Sequence, residues 1–241
     1  AVSVGARALT REEIAAHAFA LSERGYAVIP ALYSEASVAR LRHAIEAEYT
    51  AAGRPPLVAE GHLVEQGSDT AATAAGYAIR QILKCRPDLA PLLVDESAVA
   101  VLRVALGDDM HLELAGALIS DASRAFFKWH NHVGGIDDLR WKDRADYPRC
   151  GRPQRVLALA YLQPIDPEWG SLLVYPRPAD DPRGAPFALN AQHWEGQDVI
   201  EAPAGTTVLI EQSTWHAALP QTRDGLRMFV GFYFAAAGAP P

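Results

Sequence analysis

The stretch Phe126-Phe127-Lys128-Trp129-His130-Asn131-His132 puts two imidazoles two residues apart behind an aromatic run. On a strand, positions i and i+2 project to one face about 6 to 7 Å apart. Two imidazoles so placed can hold one metal ion with little bending of the backbone; the other reading of the spacing is a pair of histidines on a wet sheet face. His216, in Glu211-Gln212-Ser213-Thr214-Trp215-His216, ends a second apolar run more than eighty residues later. A third ligand from a separate strand would complete a facial set and leave the opposite positions open for substrate and oxygen, as in non-haem iron sites. Of the remaining histidines, His17 and His43 fall inside amphipathic helical patterns and His62 in a Gly-rich stretch. His111 begins a strand-like run and His193 sits in a loop, neither with a partner visible in the sequence.

The elements that must carry these residues are readable from periodicity. Thr10 stands three residues before Glu13, a capping-box spacing, ahead of Ile14, Ala18 and Leu21 on one stripe; Gly25 stops that helix and "YAVIP" follows as a short strand. Ser34 caps a second helix with Val38, Leu41 and Ile45 on its apolar face. Residues 51–76, rich in Gly, Ala, Pro and polar groups, read as a covering loop, and the segment from Gly76 to Gly107 as further short helices. After that the period changes to two: "MHLELAGALIS", "RAFFKWHNHV", "QRVLALAYLQPI", "GTTVLIEQS" and "LRMFVGFYFA" are strand-like runs separated by turn residues. Helices followed by a run of antiparallel strands imply an α+β fold, a sheet sandwich or barrel with helices on one side. One domain spans 1–241, with 1–106 mainly helical support and 107–236 the sheet core.

Composition sets the boundaries. Of 241 residues 49% are hydrophobic and 21% charged, enough for a core. A formal charge of −7 argues against nucleic acid, whose phosphates need clustered Lys and Arg. No apolar run approaches the roughly 20 residues a bilayer span requires. The two cysteines, Cys85 and Cys150, read as reduced thiols, so the expected location is the cytoplasm.

The order of these motifs resembles the phytanoyl-CoA dioxygenase-like branch of the iron(II)/2-oxoglutarate-dependent oxygenases. "TREEIAAHAFALSERGYAVIPALYSEASVARLRHAI" is similar to that family's opening helix, strand and second helix. "WHNH" falls where the family has Trp-His-x-Asp, "LALAYLQPIDPEWGSLLVYPRP" looks like its acidic turn and following strand, and "APAGTTVLIEQSTWHAALPQTRDGLRMFVGFYF" looks like the strand carrying its distal histidine. The resemblance implies a double-stranded β-helix (jelly-roll, cupin-like) core with the N-terminal helices packed on one side. It matches His130 and His216 to the family's two histidine iron ligands. It also matches Arg227, eleven residues past His216, to the arginine that holds the distal carboxylate of 2-oxoglutarate. A guanidinium fork suits that carboxylate and stays charged when partly buried; without the resemblance Arg227 reads as a surface ion pair.

Two departures stand out. His132 occupies the position of the family's carboxylate ligand, and Ala218 stands where many members have a hydroxyl residue. A neutral imidazole in place of a carboxylate raises the charge of an iron(II) centre by one unit. Either His132 completes a three-histidine site, or Asp137 or Asp138 reaches back past Gly134-Gly135 to the metal, or the site is degenerate. His132 fills the room that halogenation would need for chloride. The expectation is therefore an oxidoreductase using Fe(II), O2 and 2-oxoglutarate to oxidise, by default hydroxylate, a small organic substrate, with no nucleic-acid or membrane partner. His130, His132 and His216 would be its ligands, and Arg227 its co-substrate anchor. The competing expectation is a metal-dependent isomerase or lyase, or a binding protein, on the same fold.

Overall fold

The first helix begins where the sequence caps it. In α1 (Arg11–Arg24) the Thr10 hydroxyl accepts the Glu13 amide at 3.2 Å, and the Glu13 carboxylate accepts the Thr10 amide at 2.9 Å. Gly25 ends the helix in the left-handed region at φ 75°. A Cβ there would stand 2.1 Å from Thr214 Oγ1, and the Thr214 hydroxyl donates to the Gly25 carbonyl at 3.0 Å. The helix stop is thus also a contact with the chain just before His216. After β1 (Tyr26–Ile29), α2 (Glu35–Ala51) starts at Ser34, whose hydroxyl accepts the Ser37 amide at 3.2 Å. It buries Val38, Leu41, Ala44 and Ile45, the stripe expected from the 3.6-residue period.

The computed structural model describes residues 8–59, 64–65, 69–132, 152–179 and 184–239. Three short strands follow α2: β2 (Val64–Glu65), β3 (Thr70–Thr73) and β4 (Gly76–Ile79). Three helices come next, α3 (Ile82–Cys85), α4 (Ala90–Leu93) and α5 (Glu96–Leu106). The remaining strands are β5 (His111–Ser120), β6 (Phe127–His130), β7 (Arg155–Tyr161), β8 (Leu172–Val174), β9 (Asp198–Ile200), β10 (Thr207–Glu211), β11 (His216–Ala218) and β12 (Arg227–Ala235). They form two antiparallel sheets, an eight-stranded one in the order β1-β10-β7-β12-β5-β4-β3-β2 and a four-stranded one in the order β6-β11-β8-β9. Helices with antiparallel strands make this an α+β architecture.

Strand alternation sorts the large sheet into two working faces. On β12, Met228, Val230, Phe232 and Phe234 pack with Leu21, Ile45 and Leu102 of the helices. The intervening Arg227, Phe229, Gly231 and Tyr233 look into a cavity between the sheets. Leu157, Leu159 and Tyr161 of β7 share that inner face, packed with Leu172 and Val174 of the small sheet. The outer face of the small sheet is closed separately by Trp129, Trp194 and Trp215, with Trp129 and Trp194 stacked at 4.1 Å.

The structure corrects two local expectations. The segment 51–76, read as a covering loop, contains β2 and β3, and the segment from Gly76, read as helical, opens with β4. These strands are only two to four residues long, too short to show a period of their own, and they pair onto the β5 edge in succession. Gly76, at φ 148°, lies so close to β5 that a Cβ would stand 2.5 Å from the Ile119 carbonyl oxygen. Among the described residues no helix is long and apolar enough to cross a membrane.

Because Leu41 is fully buried beneath α2, Leu41→Ala should cost about 2 to 5 kcal/mol of stability. Urea unfolding monitored by circular dichroism checks this; an unchanged midpoint would place α2 outside the cooperative core.

Candidate metal centre

His130 closes β6 and His216 opens β11, and the two residues are direct partners in the antiparallel ladder. Opposed residues on one face stand about 4.5 to 5.5 Å apart at Cβ, and here the two ring centres are 4.2 Å apart. His132 stands two residues past the end of β6, held where its amide donates to the Gln212 carbonyl at 2.7 Å. Its ring lies 5.3 Å from that of His130 and 4.9 Å from that of His216. One nitrogen from each of the three falls within 4.8 Å of the others. Nitrogens at right angles around an ion about 2.0 to 2.1 Å away stand about 3 Å apart; His132 Nε2 and His216 Nε2 are separated by 3.1 Å. The donor set therefore fits a divalent ion.

Local hydrogen bonds orient the rings. His130 Nδ1 lies 2.9 Å from the Lys128 carbonyl and His216 Nδ1 lies 3.0 Å from the Thr214 carbonyl. A carbonyl only accepts, so in both rings Nδ1 carries the proton and Nε2 presents its lone pair. Burial pushes the His216 pKa down to about 4. Burial first, and the neighbouring His216 second, hold His132 well below the usual imidazole range. Both are neutral at pH 7, the form that binds metal.

The turn that delivers His216 is built from buried polar groups. Glu211 accepts the Ser213 amide at 2.8 Å and also the Ser213 hydroxyl, while the Arg177 guanidinium donates to the Ser213 carbonyl. Burial raises the Glu211 carboxyl to about 7, against the opposing pull of the two Ser213 hydrogen bonds. Trp215 points to the opposite side of the small sheet from His216, into the tryptophan cluster.

All three histidines and Arg227 line one cavity of about 320 Å³, at the small end of the roughly 300 to 1,000 Å³ usual for small-molecule sites. Arg227 is buried at the start of β12, its guanidinium carbon 5.3 Å from the Tyr161 ring centre and 5.7 Å from that of Phe229. Beside it lies a residue that sequence reasoning missed. Arg124 is 1% exposed and spans to β11, with Nη1 donating to the Ala218 carbonyl at 3.3 Å and Nη2 to the Leu219 carbonyl at 2.6 Å. Its Nε is buried without a partner. Burial first, and Arg227 second, lower its pKa to about 9. Neither arginine has a carboxylate partner among the described residues, and no described lining residue is acidic. The second missed residue is Tyr233, whose hydroxyl lies 2.8 Å from His132 Nδ1. Its even spacing from Arg227 was the available signal, since residues six apart on a strand share a face.

Other expectations resolve variously. Phe127 lines the cavity with its ring edge-on to His130 at 4.5 Å. Tyr161 faces the cavity, whereas Gln163 turns away and accepts the Met228 amide at 2.6 Å. His17, His43, His111 and His193 stand outside the cavity lining. Asp137, Asp138, Arg140, Trp141, Lys142, Arg144 and His62 lie outside the described residues.

No protein-family model matches the sequence, and no curated protein matches it either. Solved structures do share the fold. HygX from Streptomyces hygroscopicus, crystallised with nickel and 2-oxoglutarate, superposes with a TM-score of 0.66 at 17% identity over 96% of this chain and 88% of HygX; a further HygX crystal holds iron. SnoK, a non-haem α-ketoglutarate-dependent carbocyclase from nogalamycin biosynthesis, gives a TM-score of 0.66 at 18% identity over 98% of this chain and 88% of SnoK. AviO1 from Streptomyces viridochromogenes Tue57 gives 0.65 at 17% identity over 97% of this chain and 99% of AviO1. At such identities the likeness is one of fold.

The raised carboxyl of Glu211 makes stability pH-dependent in a defined direction. Its contribution is full below the unfolded value near 4.5 and is lost as pH rises through the folded value of about 7. Glu211→Gln should therefore gain on the wild type by about 3 kcal/mol between pH 4.5 and pH 7.5. Parallel denaturant titrations at the two pH values measure it; a pH-independent difference would mean that Glu211 is ionised throughout.

Proposed function

We propose that this chain is a non-haem iron(II)- and 2-oxoglutarate-dependent oxygenase acting on a small organic substrate, with hydroxylation as its default outcome. The observation that carries the reading is the convergence of three imidazoles at one side of a cavity that also contains two arginines with no carboxylate partner among the described residues. In this reading 1–241 is one domain, the two sheets are its double-stranded β-helix core (107–236), and 1–106 is its support. His130, His132 and His216 hold the metal through Nε2. A ferrous ion there supplies the coupling of 2-oxoglutarate decarboxylation, with O2 as oxidant, to oxidation of the organic substrate.

The remaining work falls to the chain's own side chains. Three neutral ligands leave the ion's full double charge in place, so the site favours an anionic chelating group more strongly than one with a carboxylate ligand. Arg227 receives the distal carboxylate, with its guanidinium fixed over Tyr161 and Phe229. Arg124 stands where a second guanidinium adds charge to that end, next to Ala218, the position that lacks a hydroxyl. Phe127, Leu159 and Phe229 supply apolar walls that keep water from the reacting atoms. Proteins of similar fold include the carbocyclase SnoK and the epimerase SnoN, which supports outcomes other than hydroxylation as variations on the same site.

Anaerobic addition of iron(II) and 2-oxoglutarate should produce a visible charge-transfer band, and admission of O2 should release succinate. His130→Ala and His216→Ala should abolish both. Arg227→Ala and Arg124→Ala should each weaken 2-oxoglutarate binding about tenfold or more, read by calorimetry on the metal-loaded protein. Absence of the band together with absence of succinate would favour the isomerase, lyase or binding-protein alternative. Full metal affinity in His132→Ala would transfer the third ligand to Asp137 or Asp138.

A further inference from the structure

The three histidines do not have equivalent partners. Nδ1 of His130 and of His216 faces a backbone carbonyl, Lys128 and Thr214 respectively, which fixes each ring as the Nδ1–H tautomer. Nδ1 of His132 instead faces the Tyr233 hydroxyl at 2.8 Å, a group that can donate or accept. Tyr233 sits on β12 of the large sheet, whereas His132 follows β6 of the small one. Their bond crosses the cavity from one sheet to the other.

The direction of that bond follows from His216. Its Nε2 carries only a lone pair, so in the 3.1 Å contact with His132 Nε2 the donor must be His132. His132 is then the Nε2–H tautomer, its Nδ1 is an acceptor, and the Tyr233 hydroxyl donates to it. A metal ion requires the reverse: Nε2 must give up its proton to coordinate, and a neutral ring must then carry the proton on Nδ1. The ring exchanges one proton for another through solvent, its charge is unchanged, and the Tyr233 oxygen becomes the acceptor.

We infer that Tyr233 is the positioning residue of the third ligand, a hydroxyl that holds His132 in both tautomers and lets metal entry replace the His132–His216 hydrogen bond. This rests on the reading of His132 as a ligand. A carbonyl at that place would lock His132 in the metal-binding tautomer. A residue with no polar group would leave a buried Nδ1–H unpaired once the ring is pinned by the ion. The atypical histidine and the tyrosine opposite it thus form one unit.

The test uses the full chain labelled with 15N-histidine and titrated with Zn(II), a diamagnetic probe. Metal-free protein should show His132 protonated at Nε2 and the other two rings at Nδ1; with Zn(II) all three should be protonated at Nδ1. Tyr233→Phe should lower Zn(II) affinity about ten- to a hundredfold, with His43→Ala, an exposed histidine on α2 outside the cavity, as the control that leaves Zn(II) affinity unchanged. A wild type that binds no Zn(II) would overturn the three-histidine reading itself. A wild type that binds while Tyr233→Phe binds equally well, or whose His132 is already Nδ1–H without metal, would overturn only the role of Tyr233.

Discussion

The backbone ladder between β6 and β11 is the constraint from which the site follows. It places His130 opposite His216, and a shift by one residue would turn one imidazole into the tryptophan cluster on the other face. The register is secured from outside the ladder. Trp129 and Trp215, the immediate neighbours of the two histidines, are locked into the outer aromatic layer with Trp194. Thr214 is tied to Gly25 at the end of α1. The indoles that close one face of the small sheet therefore aim the imidazoles at the other.

Electrostatics divides the cavity in an unusual way. At one side burial holds the imidazoles of His132 and His216 neutral. At the other, Arg124 and Arg227 are buried with backbone carbonyls and aromatic faces as surroundings and no described carboxylate. Burying such cations without counter-ions is costly. In the proposed function, the carboxylate of the co-substrate would relieve that cost on binding.

The buried polar groups behind the histidines have a different task. Glu211, Ser213 and Arg177 cross-link the turn between β10 and β11, so the ring of His216 is oriented by fixed backbone rather than by its own rotamer preference. The carbonyl bonds to Nδ1 of His130 and His216 extend this control to the choice of tautomer. The Nδ1 of His132, by contrast, meets a side chain from the opposite sheet.

Much of this was written in local pattern. The caps at Thr10 and Ser34, the stop at Gly25 and the long alternating strands follow from side-chain chemistry and period acting within a few residues. So does the pairing of His130 with His132 on one short segment, which spacing alone proposes. The strands β2 to β4 were not readable, because runs of two to four residues show no period and take their conformation from a neighbouring edge. Arg124 was hidden for a related reason: a lone arginine has no period, and its burial is decided by carbonyls of Leu219 and Ala218, more than ninety residues away. The hydroxyl of Tyr233 meets His132 across 101 residues of chain. Short-range forces act between neighbours in sequence and can be read there; contacts between sheets depend on strand order, which only the folded chain specifies.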